Sequence, residues 1–452
     1  MDWDTVTSRL NQMLAEGKTA QLRGALRMLN RVDVAQYLSG LDTDKMLLVF
    51  RLLPSSIASD VFSYMDDEQR EKLIFSIGDR EISRLIDDMF IDDAVDFLED
   101  MPQDLVTRVL ANVSPDTRDT INRFLKYPEN SAGSIMTVEY CAFPGRLTVD
   151  EAMDEIKRTG LDKETVNTLY VIDENGILTG TVPLRKLICA SEDATLSSIM
   201  ETVFVSVHTL DDREQVAATV QKYDLLAVPV TDREGRMVGI ITLDDIMDVV
   251  QEETTEDIEM MSALTPSDDT YLNTGIWDLV KNRLPWLAIM MVASIFTGLI
   301  ISHYEGLLSG AALVGVALTA CIPMLMDTGG NCGQQSSTLI IRSLATGEIA
   351  PSDALKVLWK ESRVALLVSV VLALVCFGIQ YLLFARPLDV TLVISGSMIL
   401  AVVFSKVLGG LLPLGAKALG LDPALTATPL ITTMADTCSL LILFAIASAM
   451  LL

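Results

Sequence analysis

Apolar side chains return every twelve residues through the first quarter of the chain. Between residues 34 and 125 each unit places two adjacent apolar residues and a third four positions after the first: Tyr37/Leu38/Leu41, Val49/Phe50/Leu53, Val61/Phe62/Met65, Leu73/Ile74/Ile77, Leu85/Ile86/Met89, Phe97/Leu98/Met101 and Val109/Leu110/Val113. Positions i, i+1 and i+4 share one face of a short helix. Turn-forming groups such as Pro54-Ser55-Ser56, Gly78-Asp79 and Pro102-Gln103-Asp104 separate the triplets. Helices this short cannot bury their faces alone, so the pattern predicts an α-helical superhelix or stack in which neighbours cover one another.

From about Thr137 the pattern changes to β-branched runs separated by turns, and a second repeat begins. LYVIDENGILTGTVPLRKLI (Leu169 to Ile188) matches AVPVTDREGRMVGIITLDDIM (Ala227 to Met247), with Gly176 and Gly180 corresponding to Gly235 and Gly239 at an offset of 59. Each copy reads strand, Asp-x-x-Gly turn, strand, helix. The repeat resembles the cystathionine β-synthase (CBS) domain, a regulatory α/β module that works in tandem pairs and often binds adenine nucleotides. In the second copy Thr242 and Asp245 stand where that family commonly holds a ribose, so ATP or another adenine nucleotide is an implied ligand. The first copy has Pro183 and Lys186 there. An Asp at this place also serves as a helix cap, and the residues alone leave both roles open.

An acidic helical stretch, DDIMDVVQEETTEDIEMMSAL (Asp244 to Leu264), leads into five apolar segments at roughly 284–303, 309–327, 364–384, 390–414 and 427–452. Each is long enough for a hydrocarbon core of about 30 Å. With a cytosolic N-terminus, Lys281, Arg283, the Arg342 to Arg363 loop and Lys417 fall inside, and Arg386 falls in an outer loop. This satisfies the positive-inside rule and expects the C-terminus outside.

Charge sharpens that division. The chain of 452 residues carries a formal net charge of −27, yet from Ile276 onward nine basic residues balance nine acidic ones. The whole acidic excess therefore precedes the membrane part. Such a surface repels nucleic acid and attracts cations, divalent ones most of all, although acidic surfaces also serve solubility. Six scattered cysteines without a CxxC pair, and two histidines, speak against a zinc site and fit a reducing, cytoplasmic setting. The start, MDWDTVTSRLNQML, has no basic opening followed by an apolar core, so no signal peptide is expected.

Polar residues inside apolar segments carry the candidate chemistry. In the last segment Thr428, Thr432 and Asp436 recur every fourth residue, aligning their oxygens on one helix face. A carboxylate in hydrocarbon costs several kcal/mol, so Asp436 must face protein or water, either as an interhelical hydrogen-bonding group or beside an ion path. In the second segment Pro323, Asp327, Asn331 and Gln335 form a like stripe next to the small residues Gly329, Gly330 and Gly333. No P-loop, no DKTGT motif and no nucleophile with a paired base is present, so neither an ATP-driven pump nor an enzyme is expected.

The run CIPMLMDTGGNCGQQSSTLIIRSLATGEI, with GLDPAL and a later Pro and Asp, resembles the MgtE family of bacterial magnesium transporters and channels. The resemblance spans the chain and implies a multidomain protein. Its parts are an α-helical superhelical N-domain (1–130), two CBS domains (131–199 and 200–243), an acidic connecting or plug helix (244–275) and a five-helix transmembrane domain (276–452). It further implies a homodimer in the bacterial plasma membrane, with a two-fold pore lined by the second and fifth spans and carrying Asp436. Mg²⁺ is the implied cargo, with Mn²⁺ or Co²⁺ as further ions. Cytosolic Mg²⁺ is implied to close the pore by bridging acids of three regions. Asp60, Asp92 and Asp96 lie in the N-domain, and Asp212, Glu214 and Asp224 in the second CBS copy. Asp245, Asp248, Glu253, Glu256, Asp257 and Asp422 lie on the connecting helix and the membrane end. Two other readings stay open at this level: a proton- or sodium-coupled carrier using Asp436, and a membrane-anchored CBS sensor.

Overall fold

The computed structural model describes residues 3–99, 101–267, 271, 274–306, 312–426 and 428–451. It divides into two compact units, residues 1–250 and 251–452.

The first unit opens with ten helices among its described residues, α1 (Trp3–Ala15) through α10 (Pro115–Phe124). From the third onward they begin at residues 31, 43, 55, 67, 79, 91, 103 and 115, the twelve-residue period read from the apolar triplets. The paired apolar residues Tyr37/Leu38, Val61/Phe62, Leu73/Ile74 and Phe97/Leu98 are almost wholly buried in one continuous core. Helices two apart pack on one another, so each apolar face is covered by the next but one along the chain. Ion pairs between Arg31 and Asp60 and between Arg108 and Asp79 repeat that spacing on the surface, and Arg51 at the end of α4 (Thr43–Phe50) reaches Glu81 of α7 (Asp79–Asp87). Exposed pairs of this kind contribute at most about 1 kcal/mol each, so the apolar faces hold the stack.

The chain then forms two three-stranded sheets, β1 (Ala142–Pro144), β2 (Thr168–Ile172) and β3 (Leu178–Pro183), and β4 (Val207–His208), β5 (Ala227–Thr231) and β6 (Met237–Thr242). In each, the first pair is parallel and the second antiparallel. The register shifts at Val171/Ile172 and again at Val230/Thr231, the same place in both copies at the offset of 59. Gly176 and Gly235 occupy matching turns at φ +81° and +80°, where a side chain would strain the backbone.

The two copies are also tied crosswise. A side chain at Gly180 would strike Met200 and the Glu201 carbonyl, and one at Gly239 would strike Met136 and the Thr137 carbonyl. Thr181 pairs with Glu201 and Thr137 with Ile240, so the segment entering each copy lies against the sheet of the other. The four remaining helices of the pair are α11 (Val149–Thr159), α12 (Leu184–Cys189), α13 (Leu196–Ile199) and α14 (Arg213–Tyr223), and α15 (Leu243–Met261) leaves the second copy as one continuous helix.

The second unit contains α16 (Ile276–His303), α17 (Ala312–Ala345), α18 (Ala354–Gly378), α19 (Leu388–Ala418) and α20 (Thr428–Leu451). Among the described residues four stretches are long and apolar enough to cross a membrane: Ile276–His303, Pro351–Leu383, Leu388–Ala418 and Pro429–Leu451. Helix α17, with 34 residues, is about 50 Å long but is more polar than these four. It nevertheless packs between α19 and α20 and contributes Leu318, Cys321 and Leu325 to their shared core. Its polarity is concentrated on one face.

Candidate functional site

Acidic groups meet inside the first unit. Helix α8 (Ile91–Glu99) starts with Asp92 and Asp93, where carboxylates favour the helix N-terminus, and the Asp93 amide donates to Asp92 Oδ1 at 3.0 Å. Asp245 comes from the first turn of α15, and Glu164 from the loop before β2, its amide bonded to the Glu139 carbonyl at 2.8 Å. All four are partly buried. Burial, then Asp245, Asp93 and Glu164, hold Asp92 well above the ordinary carboxylate range. Glu164 is pushed up to about 7 by burial and by Asp245, Asp244, Asp93 and Glu139. Burial raises Asp245 to about 6 in spite of its hydrogen bonds to Thr242. The fold thus brings helix, loop and helix together at a price in electrostatic repulsion.

Thr242 and Asp245, the pair singled out as nucleotide contacts, engage each other. Thr242 donates through its hydroxyl to Asp245 Oδ2 at 2.6 Å and through its amide at 3.3 Å, which closes the first turn of α15. The capping role is therefore the one the geometry displays.

The other acids are spread more widely. Asp60 pairs with Arg31 at 3.4 Å, and Asp96, largely exposed, with Arg70 at 3.9 Å. Asp212 caps α14 by accepting from the Glu214 amide at 2.9 Å, and Asp224 ends that helix at φ 51°, in the left-handed region. Asp248 lies exposed on α15. Glu253, Glu256 and Asp257 continue along α15 in the second unit, where Asp422 accepts from the Ala424 amide at 2.7 Å. Among the described residues no three acidic, His or Cys side chains converge to ligate a metal directly. The acid cluster fits a hydrated Mg²⁺, which retains waters and needs only one or two protein carboxylates.

Sequence reasoning missed Glu164, Asp93 and Asp244. Asp93 and Asp244 adjoin residues that were selected, but Glu164 sits in a loop outside any periodic pattern, and only the fold brings it to α8.

In the second unit the two polar stripes lie on neighbouring helices. Pro323, Asp327, Asn331 and Gln335 are all exposed along one face of α17, while Leu325, Gly329, Cys332, Gly333 and Ser336 on the other side are buried. Asp436 of α20 lies against this helix: a Cβ at Gly330 would come within 3.8 Å of its Oδ1 and 3.3 Å of Thr432 Cγ2. Asp327 stands on the same helix one turn before Gly330. Thr432 turns its hydroxyl to the Pro429 carbonyl at 3.1 Å. The side chain of Thr428 lies outside the described residues. Glycine at 329, 330 and 333 is what lets α20 and α19 approach α17.

Comparison with known proteins agrees with this organisation. Residues 322–446 match the MgtE divalent cation transporter family, residues 29–130 the MgtE intracellular N domain, and residues 196–252 the CBS domain. The magnesium transporter MgtE of Thermus thermophilus is 34% identical, with 98% of each chain covered. That of Bacillus subtilis is 29% identical over 99% of this chain and 98% of its own. A crystal structure of the cytosolic domain of the Mg²⁺ channel MgtE in complex with ATP aligns with a TM-score of 0.51 at 32% identity, covering 54% of this chain and 99% of that one.

Proposed function

The chain belongs to the MgtE family of magnesium transporters, and on that premise we propose that it is a Mg²⁺-gated channel that passes hydrated Mg²⁺ through a pore on the two-fold axis of a homodimer. The observation that carries this reading is the exposed stripe of α17 beside Asp436. A polar face in a membrane bundle is costly against lipid and natural beside water. A dimer would present two copies of Asp436, flanked by Asp327, Asn331, Gln335, Thr432 and Thr428. Carboxylates in a wet path suit an ion that sheds its waters reluctantly. No covalent step is required: the ion moves down its electrochemical gradient. In this reading α17 is a fifth span whose polarity is shielded by its partners, the N-domain is cytosolic and the C-terminus lies outside.

The acid cluster supports the regulatory half. Without metal, Asp92, Glu164 and Asp245 repel one another and favour separation of the N-domain from the CBS pair. Mg²⁺ on these acids offsets the repulsion and shifts the population toward the docked, closed state. The remaining acids, Asp60, Asp96, Asp212, Glu214, Asp224, Asp248, Glu253, Glu256, Asp257 and Asp422, extend the surface from which cytosolic Mg²⁺ acts. Mn²⁺ and Co²⁺ are candidate alternative ions. An adenine nucleotide at the CBS pair would have to compete with the Thr242–Asp245 hydrogen bonds.

Mg²⁺ flux into proteoliposomes tests both halves. Asp436→Ala should lower flux by about two orders of magnitude or more, and cytosolic-face Mg²⁺ should suppress flux in the wild type. Normal flux through folded Asp436→Ala would place the ion path elsewhere. Flux that vanishes without a proton or sodium gradient would replace the channel by a coupled carrier.

A further inference from the structure

Lys406 is a lysine in the middle of α19 with only 5% of its surface exposed. Its ammonium donates to Ser336 Oγ of α17 at 3.3 Å, and Ser336 Oγ donates to Glu361 Oε2 of α18 at 2.7 Å. Ser336 itself is 1% exposed. One hydroxyl thus accepts from a cation and donates to an anion, joining three helices through a single buried relay.

The relay sits where α19 crosses α17 through close backbone contact. A Cβ on Gly409, one turn beyond Lys406, would land well inside contact distance of the Gly333 carbonyl oxygen, and one on Gly333 would come within 3.1 Å of the Ser405 carbonyl oxygen. At the next residue, a Cβ on Gly410 would meet Glu361 Cγ at 3.1 Å. Backbones this close have no side chains between them to set the rotation of one helix against another. Ser336 is the next residue after Gln335, and five after Asn331, so whatever fixes Ser336 fixes the direction of the polar stripe.

We propose that Lys406, through Ser336 and Glu361, is a positioning residue that sets the rotation of α17 and so aims Asn331 and Gln335 into the ion path. Burying an ammonium in a membrane bundle is expensive unless it is partnered, and an apolar residue of similar length would pack the same space without that cost. The charge is retained because a directional hydrogen bond specifies a rotation that packing of small residues does not. For its functional readout this inference rests on the channel reading above.

The test uses full-length protein in proteoliposomes and compares Lys406→Met, Lys406→Arg, Glu361→Gln and the double variant Lys406→Met/Glu361→Gln. Both the half-saturating Mg²⁺ concentration and the Mg²⁺/Na⁺ flux ratio are measured. Lys406→Met should raise half-saturation about fivefold and lower the flux ratio by a similar factor, while Lys406→Arg should stay within about twofold of wild type and the double variant should shift no further than Lys406→Met alone, because both substitutions break one relay. A merely structural lysine would lower maximal flux in proportion to the folded fraction and leave both quantities unchanged, which overturns the proposal. So does a loss in Lys406→Arg equal to that in Lys406→Met.

If Lys406→Met does not fold, Glu361→Gln carries the test: a shift of about twofold or more supports the relay and no shift overturns it. Should the wild type pass no Mg²⁺, the channel reading fails and the relay is judged separately. Gln335→Cys is then labelled with a charged thiol reagent, with and without Glu361→Gln. A change of about fivefold in rate over the native-cysteine background supports the relay, and an unchanged rate overturns it.

Discussion

Asp245 and Asp436 are both partly buried carboxylates beside other carboxylates, yet their surroundings differ in kind. Asp245 is held by two hydrogen bonds from Thr242 and feels the charge of carboxylates from two other elements, Asp92 and Glu164. Asp436 projects from an apolar helix toward a glycine, beside a polar face that stays open. The first arrangement stores repulsion that protons or a cation relieve, which is what a sensor needs. The second leaves a lined surface with room along it, which is what a path needs. Under the proposed reading the same side chain would serve two tasks, according to whether its neighbours crowd it or leave it space.

The largest expected effect breaks the membrane side of this contrast. Gly409→Val introduces branched carbon where the Gly333 backbone already lies, and neither backbone can yield without parting α17 from α19. Overpacking at a backbone contact costs about 3 kcal/mol or more. Thermal unfolding in detergent should show the apolar helices destabilised while the helical stack of residues 31–124 melts as in wild type. Joint loss of both would show that the two units depend on each other for folding.

Glu164→Gln sharpens the other side. It removes a carboxylate that is crowded by Asp245, Asp244 and Asp93 while keeping its size. The metal-free protein should gain about 1–2 kcal/mol of protection around α8, read by amide hydrogen exchange, and Mg²⁺ should add less protection than in wild type. Weaker protection without metal would mean that Glu164 contributes a bond that matters more than its charge.

How far the sequence foretold these features depends on their range. The helical stack was legible because its apolar triplets recur every twelve residues, and the observed helices begin at that interval. The CBS repeat was legible because Gly176 and Gly235 each need a left-handed turn. The stripe of Pro323, Asp327, Asn331 and Gln335 was legible because four-residue spacing is a local property of a helix, and all four are exposed on one face. Glu164 was not, because it reaches Asp92 through contacts between segments far apart in sequence. Lys406 was counted only as a charge for the same reason: its partners Ser336 and Glu361 lie 70 and 45 residues away in the chain.

A pH titration follows from the same crowding. The Glu164 carboxyl keeps its proton in the fold up to about pH 7, whereas in an unfolded chain it loses it near the ordinary value of 4.5. The folded pKa is raised, so the stability due to this group is full below the unfolded value and is lost as pH rises through about 7. Asp245 acts in the same direction up to about 6. Metal-free protein should therefore lose protection at α8 as pH rises across this window, and Mg²⁺ should restore it more strongly at the upper end. A flat profile without metal would indicate that the cluster is already relaxed by solvent.

The smallest effect concerns the cap of α15. Thr242→Val keeps the shape and the backbone amide bond to Asp245 but removes the 2.6 Å hydroxyl bond. Loss of one such bond to a charged group costs about 1 kcal/mol or somewhat more and should fray the first turn of α15 in hydrogen exchange. It also leaves Asp245 Oδ2 with only the 3.3 Å amide bond, so its carboxyl is less favoured as the anion and shifts further toward the protonated form. The altered carboxyl should shift Mg²⁺ protection at α8, and if an adenine nucleotide also uses Asp245, ATP affinity should change with it. If Asp245 serves only the cap and the acid cluster, Mg²⁺ protection shifts and ATP binding stays the same. That single hydroxyl separates the two uses of one aspartate, because it touches the carboxylate without touching any other member of the cluster among the hydrogen bonds it makes to side chains.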